Sequence, residues 1–256
     1  MKQTTEIERV ATHCGSLFSW VEARIIERKS EGGYARLRLD LPSGAPPVAA
    51  GQFILLRGAG RPVLPRAFSP TSADETGIEL LIKVEGLVRE ELAACELGTR
   101  IELRGPYGVP IIDRISPDRR YLLAGGGSGV APLLHFRAQH PDLVAGAVFG
   151  FRPVGVKKLM PHEPLVIEEL DGRLADEEAA AMRSPEDGLI ACGPEAMLAS
   201  LVRRFPNDPH LFVSLETRIG CGIGACLGCS IETTQGMRRV CKDGPIFAAT
   251  ELPWLG

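Results

Sequence analysis

Four cysteines near the C-terminal end constrain this chain more than any other feature. They follow the spacing C-x4-C-x2-C-x11-C within 21 consecutive positions, and they are Cys221, Cys226, Cys229 and Cys241. Glycines alternate with them, and the segment from residue 216 onward is rich in both residue types. We therefore expect the ligands of a metal centre to organise this segment, rather than a core of apolar side chains.

The spacing is typical of plant-type [2Fe–2S] ferredoxins, in which thiolates hold each iron. Nearby glycines tolerate positive φ and let backbone N–H groups approach the sulfurs. Structural zinc, the first alternative, usually takes two C-x2-C pairs, and only Cys226 and Cys229 have that spacing. A set of free thiols is the second alternative. A disulfide framework is disfavoured, because the total of seven cysteines is odd. The sequence predicts a [2Fe–2S] cluster with the four cysteines as its ligands.

Composition indicates an ordinary globular protein. The 256 residues carry 29 basic and 32 acidic side chains, so no strong field attracts nucleic acid or an anionic membrane surface. No run approaches the ~20 apolar residues of a membrane span, and residues 1–6 do not resemble a signal peptide. We expect a cytoplasmic protein, in which thiols stay reduced and available to metals.

Two rhythms divide the chain. Up to residue ~112, apolar residues alternate in short runs between turns, which predicts strands at 20–26, 34–39, 52–57, 77–84 and 99–104, and one helix at 87–95. Strands and helices then alternate, with strands predicted at 121–124, 143–149, 165–167, 189–191 and 211–215 and helices after the first glycine turn and at 175–182 and 195–205. The predicted fold is an N-terminal antiparallel β-barrel over residues 1–113, an α/β parallel-sheet nucleotide domain over 114–215 and a small [2Fe–2S] module over 216–256.

The first predicted parallel strand runs into a glycine turn and then a helix. Its residues are Gly125, Gly126, Gly127, Ser128 and Gly129, followed by Val130, which occupies the place of the third glycine in the common dinucleotide motif. Amides at a helix start favour a pyrophosphate. We predict a nucleotide site here, the alternative being a merely tight turn.

A second motif ends a later predicted strand and opens another helix. It contains Cys192, Gly193 and Pro194, and ligands of open α/β sheets bind at such strand ends. We predict that Cys192 lines a nicotinamide pocket, and a buried structural cysteine is the alternative. No acidic residue follows the strand at 143–149 to bind ribose hydroxyls, whereas Arg152 could meet a 2′-phosphate, so NAD and NADP both stay open.

Three motifs together carry a family resemblance. R-A-F-S at 66–69, G-G-x-S-G-x-x-P at 125–132 and C-G-P-x-x-M at 192–197 resemble the ferredoxin–NADP reductase family. With the cysteine segment 218–247 added, nearly the whole chain resembles that family's electron-transfer subunit branch, found in the NAD-linked, two-subunit type B dihydroorotate dehydrogenases. The cysteine segment is the most specific part.

The resemblance implies an FAD site in the barrel. It places Arg66 on the FAD pyrophosphate, with Ala67 beside it, Phe68 against the flavin and Ser69 near the reactive flavin nitrogen. Further contacts come from Leu81, Ile82 and Lys83. The family usually has Gly-Thr shortly after this strand, where Val88 and Arg89 stand here, so Arg89 is expected to supply a cation in its place.

These parts imply an electron relay. NAD exchanges two electrons at once and an iron–sulfur cluster one, and FAD can connect the two. We predict no catalytic acid or base in this chain. The resemblance implies an FMN-containing catalytic subunit as partner, which oxidises dihydroorotate to orotate, in an assembly with two of each subunit. Two alternatives stay open: a reductase subunit of another complex, such as an NADPH:ferredoxin transhydrogenase, and a cluster-bearing sensor with a degenerate flavin site.

Overall fold

The computed structural model describes residues 19–57, 65–160, 166–168 and 174–255. Cys14 and the first residue of the strand predicted at 165–167 lie outside this part. The strands in the described residues are β1 Val21–Glu31, β2 Tyr34–Asp40, β3 Phe53–Arg57, β4 Arg66–Phe68, β5 Pro70–Asp74, β6 Gly77–Lys83, β7 Arg100–Tyr107, β8 Tyr121–Gly126, β9 Val144–Phe151, β10 Val166–Glu168, β11 Gly188–Cys192, β12 Leu211–Ser214, β13 Ser230–Thr233, β14 Gly236–Arg239 and β15 Ile246–Ala248. The α-helices are α1 Leu87–Ala94, α2 Val130–Gln139, α3 Ala175–Met182, α4 Glu195–Arg204 and α5 Val240–Asp243.

Seven strands form the N-terminal barrel, in the order β4-β3-β7-β1-β2-β6-β5, and every pair in it is antiparallel. Alternation decides which side chains face inward. On β2, Leu37 and Leu39 are fully buried, while Arg36 and Arg38, which alternate with them, are not. Helix α1 adds apolar side chains to the same core. The predicted antiparallel fold of this half is confirmed, although β4 and β5 were not predicted.

The second sheet has the order β10-β9-β8-β11-β12-β15. Its first five strands run parallel, and β15 joins the edge antiparallel to β12. Leu123 packs with α2 on one face, and Leu122 and Ala124 pack with α3 and α4 on the other. Because helices cover both faces of this sheet, successive side chains along its strands are apolar rather than alternately apolar and polar. The predicted parallel-sheet domain is confirmed.

The C-terminal segment corrects one expectation. Strands β13 and β14 form a hairpin, and α5 and β15 then return the chain to the second sheet. Val240, Phe247, Leu252 and Leu255 are buried in the core beneath that sheet. The prediction that ligands alone organise this segment was wrong beyond residue 240, because these apolar residues are too irregularly spaced to show helix or strand periodicity.

The β1–β2 hairpin fixes the barrel against the second sheet. A Cβ at Gly32 would lie 2.6 Å from the Val154 carbonyl oxygen, so only glycine permits this approach. Arg36 donates a 2.8 Å hydrogen bond to the carbonyl oxygen of Leu159. Both contacts reach the segment that follows β9. These two contacts therefore help to hold the barrel against the second sheet. Among the described helices, none combines the length and apolar character that crossing a bilayer demands.

Candidate functional site

A cavity of about 140 Å³ lies where the barrel meets the second sheet. Segments far apart in the sequence line it, and the lining residues are Ala67, Phe68, Ser69, Leu81, Ile82, Lys83, Arg89, Ser128, Gly129, Ala131, Pro132, Cys192, Glu216 and Thr217. Most of the residues predicted for the flavin and nucleotide motifs thus share one cavity.

The barrel supplies one wall. Phe68, at the end of β4, is buried, and Lys83 lies at the end of β6. Arg66 is exposed on β4 and is not part of the lining. Of the two residues in the place of Gly-Thr, Arg89 lines the cavity, whereas Val88 is 6% exposed and packs in the barrel core. The structure therefore does not place Val88 at the site: on helix α1, neighbouring residues face different directions.

The glycine turn and the Cys192-Gly193-Pro194 segment touch directly. A Cβ at Gly129 would lie 2.4 Å from the Cys192 carbonyl oxygen, and one at Gly126 would lie 2.9 Å from Pro194 Cδ. Ser128, Gly129 and Cys192 line the cavity, while the other predicted residues of these two motifs, Gly125, Gly126, Gly127, Gly193 and Pro194, are not part of its lining. Within the glycine turn, Gly127 has a φ of +58°, a backbone conformation that favours glycine. Two sequence motifs thus form one surface at the carboxyl ends of β8 and β11.

Glu216 lines the cavity, and Tyr34 lies beside the glycine turn, with its Oη 3.2 Å from the place of a Cβ at Gly127; the sequence revealed neither. Ser128 donates a 3.2 Å hydrogen bond from Oγ to Glu216 Oε1. The Glu216 carboxyl faces the open cavity, yet the protein surrounds it on most sides, and this desolvation raises its pKa while Ser128 and Arg89 act in the opposite direction. Burial, followed by the charge of Glu216, raises the pKa of Tyr34 to about 12. Neither residue belongs to a motif, so only the fold brings them here.

Cys192 is 2% exposed, and burial raises the pKa of its thiol well above the ordinary value. A neutral, buried thiol is a poor nucleophile. Cys192 packs in the second sheet, as the structural alternative expected, and it also lines the cavity, while its place in a nicotinamide pocket stays a prediction.

The cysteine loop, which we define as residues 220–229 together with Cys241, lies against the barrel. A Cβ at Gly222, where φ is +79°, would lie 2.9 Å from the Tyr107 ring and 3.2 Å from Leu55 Cδ1. Cys229 and Cys241 are buried, Cys221 is partly buried and Cys226 is exposed. The loop is therefore covered on its barrel side and open on the other.

Backbone amides point at the sulfurs of the cysteine loop. Gly224 donates to Cys241 Sγ at 3.1 Å, and Cys226 donates to Cys221 Sγ at 3.5 Å. Cys241 donates from its amide to Cys229 Sγ, also at 3.5 Å. Burial raises the pKa of Cys221, but several backbone N–H groups together outweigh it and lower the pKa below the ordinary value.

This donor set fits an iron–sulfur cluster. The Cys226 amide contacts the Cys221 sulfur and the Cys241 amide contacts the Cys229 sulfur, so the four cysteines lie close together. A two-iron cluster takes four thiolates, two at each iron. Amides directed at sulfur stabilise the negative charge that a cluster brings. Within the ranges that the structure describes, no three Cys, His, Asp or Glu side chains converge as ligands of a single metal ion.

Comparison with known families gives two matches. Residues 26–110 match the oxidoreductase FAD-binding domain, and residues 216–253 match the iron–sulfur cluster binding domain of dihydroorotate dehydrogenase B. The second match contains all four cysteines of the cysteine loop.

Similar proteins cover nearly the whole chain. The dihydroorotate dehydrogenase B (NAD(+)) electron transfer subunit of Clostridium acetobutylicum is 33% identical over 237 residues, which are 88% of this chain and 93% of that protein. The subunit of the same name from a Geobacillus species is 32% identical, covering 80% and 86%.

Solved structures share the fold. The NADH-dependent reduced ferredoxin–NADP oxidoreductase studied for flavin-based electron bifurcation aligns with a TM-score of 0.74 at 24% identity, over 91% of this chain and 90% of that one. Phthalate dioxygenase reductase aligns with a TM-score of 0.61 at 15% identity, over 88% and 78%.

Proposed function

The chain belongs to the family of dihydroorotate dehydrogenase B electron transfer subunits, and from that membership we propose that it passes electrons between a dihydroorotate-oxidising partner and NAD. It is an oxidoreductase subunit with an FAD-binding domain and an iron–sulfur domain, serving pyrimidine biosynthesis. The observation that carries the proposal is the single cavity that joins the flavin motif, the glycine turn and Cys192.

We assign the flavin ring of FAD to this cavity. Phe68 offers an apolar face and Ser69 a hydroxyl on its barrel wall, while Lys83 and Arg89 place two cations at the same side. Arg66 is exposed and lies outside the cavity lining, where its guanidinium would make a bidentate contact with the FAD pyrophosphate. A bound flavin accepts or gives either one or two electrons, which a nicotinamide or a cluster alone cannot do.

The opposite wall is our proposed site for NAD. The glycine turn precedes helix α2, and an anion is favoured at a helix N-terminus. Cys192 and Glu216 lie between the glycine turn and the barrel wall, so they bound the space available to a nicotinamide ring. The Ser128 hydroxyl donates a hydrogen bond to the Glu216 carboxylate and so helps to hold it in place.

The cysteine loop is our proposed cluster site, with Cys221, Cys226, Cys229 and Cys241 as ligands. Its glycine-rich side is open, so electrons can leave there toward another protein. We propose an FMN-containing catalytic subunit as that partner, two of each subunit in the assembly, a cytoplasmic location, and domain boundaries at 113/114 and 215/216.

Anaerobic titration of the isolated protein tests this function. NADH is expected to bleach the flavin absorbance and then the cluster absorbance, because both carriers are in this chain. Dihydroorotate is expected to bleach neither until the catalytic subunit is added. Stoichiometric bleaching by dihydroorotate alone would contradict the relay, and preferential oxidation of NADPH would favour a reductase of another complex.

A further inference from the structure

Arg104, on β7 of the barrel, reaches the cysteine loop. Its Nη2 donates a 3.2 Å hydrogen bond to the carbonyl oxygen of Cys221. Its guanidinium carbon lies 4.9 Å from the centre of the Trp20 ring and 5.9 Å from that of Tyr107. One cation thus contacts two aromatic rings of the barrel and the main chain of the first cysteine.

Arg104 and Arg57 both lie against Trp20, but they differ in their polar partners. The Nε of Arg104 is buried and has no hydrogen-bond partner among the residues that the structure describes. Trp20 is itself stacked on a second cation, because Arg57 lies 4.2 Å from its ring centre on the neighbouring strand β3. Arg57, however, is neutralised by an ion pair of 2.5 Å with Glu102. An arginine stays protonated throughout the working pH range, so Arg104 brings a positive charge to the loop.

The packing around Gly222 keeps the cysteine loop within reach of Arg104. Gly222 follows Cys221 directly, and it fits against Tyr107 only because it lacks a side chain. Tyr107 lies three residues beyond Arg104 on the same strand. The loop therefore cannot move away from β7 without losing both contacts.

We propose that Arg104 is a positioning residue that fixes Cys221 and raises the reduction potential of the cluster; this inference rests on the proposed function. Reduction adds one electron from the reductant to the cluster, so the negative charge at the thiolates increases by one. A fixed cation beside a ligand stabilises the reduced form more than the oxidised one. The charge of Arg104 would therefore favour electron entry into the cluster.

Redox titration of purified variants, followed by EPR of the reduced cluster, tests this role. In Arg104→Gln, an amide can still donate to Cys221 but the charge is gone. The ratio of reduced to oxidised cluster at a fixed potential should fall about tenfold, equivalent to a potential ~59 mV more negative. Arg57→Gln is the matched control, because it removes a cation from the same Trp20 ring without touching the loop, and its ratio should change less than about twofold.

Three results would overturn the inference: an Arg104→Gln protein with a full cluster and an unchanged potential, an Arg57→Gln protein shifted as far, or a tenfold shift in Arg104→Lys. If Arg104→Gln does not retain its cluster, Arg104→Lys provides the test instead. This variant keeps the positive charge, so the proposal requires its cluster to have a reduction potential close to that of the wild type. A wild-type protein without any cluster signal would instead refute the proposed function, so the two failures are distinguishable.

Discussion

The cysteine loop takes its four thiols from 21 positions, whereas the cavity takes its walls from segments spread between residues 67 and 217. The loop has little regular structure, and glycines with positive φ let its amides face the sulfurs. The cavity depends instead on the docking of two complete sheets, held by contacts such as Arg36 with Leu159.

This difference separates two ways of building a redox site. A cluster can order a short loop through metal–thiolate bonds, because binding energy and folding energy are then the same quantity. A flavin site needs preformed walls, because apolar packing and hydrogen bonds must already hold the side chains in place. We therefore expect the loop to be sensitive to its ligands and the cavity to be sensitive to its packing.

Cys226→Ser is expected to give the largest effect and to separate the two regions. A hydroxyl is a much weaker iron ligand than a thiolate, so iron content and cluster EPR should largely disappear. FAD should stay bound, because the cavity does not include Cys226. Cys95→Ser, in the barrel, is the control and should leave both cofactors unchanged. Cluster content like that of the wild type in Cys226→Ser would reject the ligand assignment.

Arg66→Ala is expected to weaken FAD binding while leaving the cluster intact. Removing one charge-assisted pair costs roughly 1.5–3 kcal/mol, which corresponds to about a tenfold to hundredfold loss of affinity. Flavin fluorescence titration measures this affinity, and Arg24→Ala, which changes another exposed arginine of the barrel on β1, is the control. Unchanged FAD affinity would remove the assigned role of Arg66.

Gly129→Ala and Gly228→Ala compare packing in the two regions. At Gly129 the new methyl would meet the Cys192 carbonyl oxygen at 2.4 Å, and overpacking of this kind costs about 1–3 kcal/mol. At Gly228 the nearest atom is Cys226 Sγ at 3.6 Å, an ordinary contact, so the stability should change by less than about 0.5 kcal/mol. Urea denaturation measures the free energy of unfolding of both variants. Equal losses of stability would show that the cysteine loop is packed as tightly as the cavity.

Glu216→Gln is expected to have the smallest effect, visible as a pH dependence. Because desolvation raises the Glu216 pKa, the folded protein keeps this proton at pH values where the unfolded chain has lost it. The free energy of unfolding therefore falls as pH rises from the ordinary glutamate pKa through the folded value. The variant lacks this loss, so its stability relative to the wild type should increase as pH rises above the ordinary glutamate pKa, until the carboxyl of the folded protein has also ionised. A difference independent of pH would contradict this assignment.

Much of the fold could be predicted from local pattern. Alternation predicted β2 and β6 nearly to the residue, and apolar runs between helices predicted the parallel sheet. Strands β4 and β5, the β13–β14 hairpin and the edge strand β15 were missed. Each is three to five residues long, which is too short for a period of two to stand out.

The fold class, the family and a cysteine spacing suited to one kind of cluster could all be predicted from the sequence, because they depend on residues close together in the chain. Three features became visible only in the folded chain: Glu216 and Tyr34 lie beside the glycine turn, Arg89 rather than Val88 faces the cavity, and Arg104 reaches Cys221. Such contacts join residues as many as 117 positions apart. Which side chains meet across that separation depends on how the two sheets dock, and no local periodicity records it.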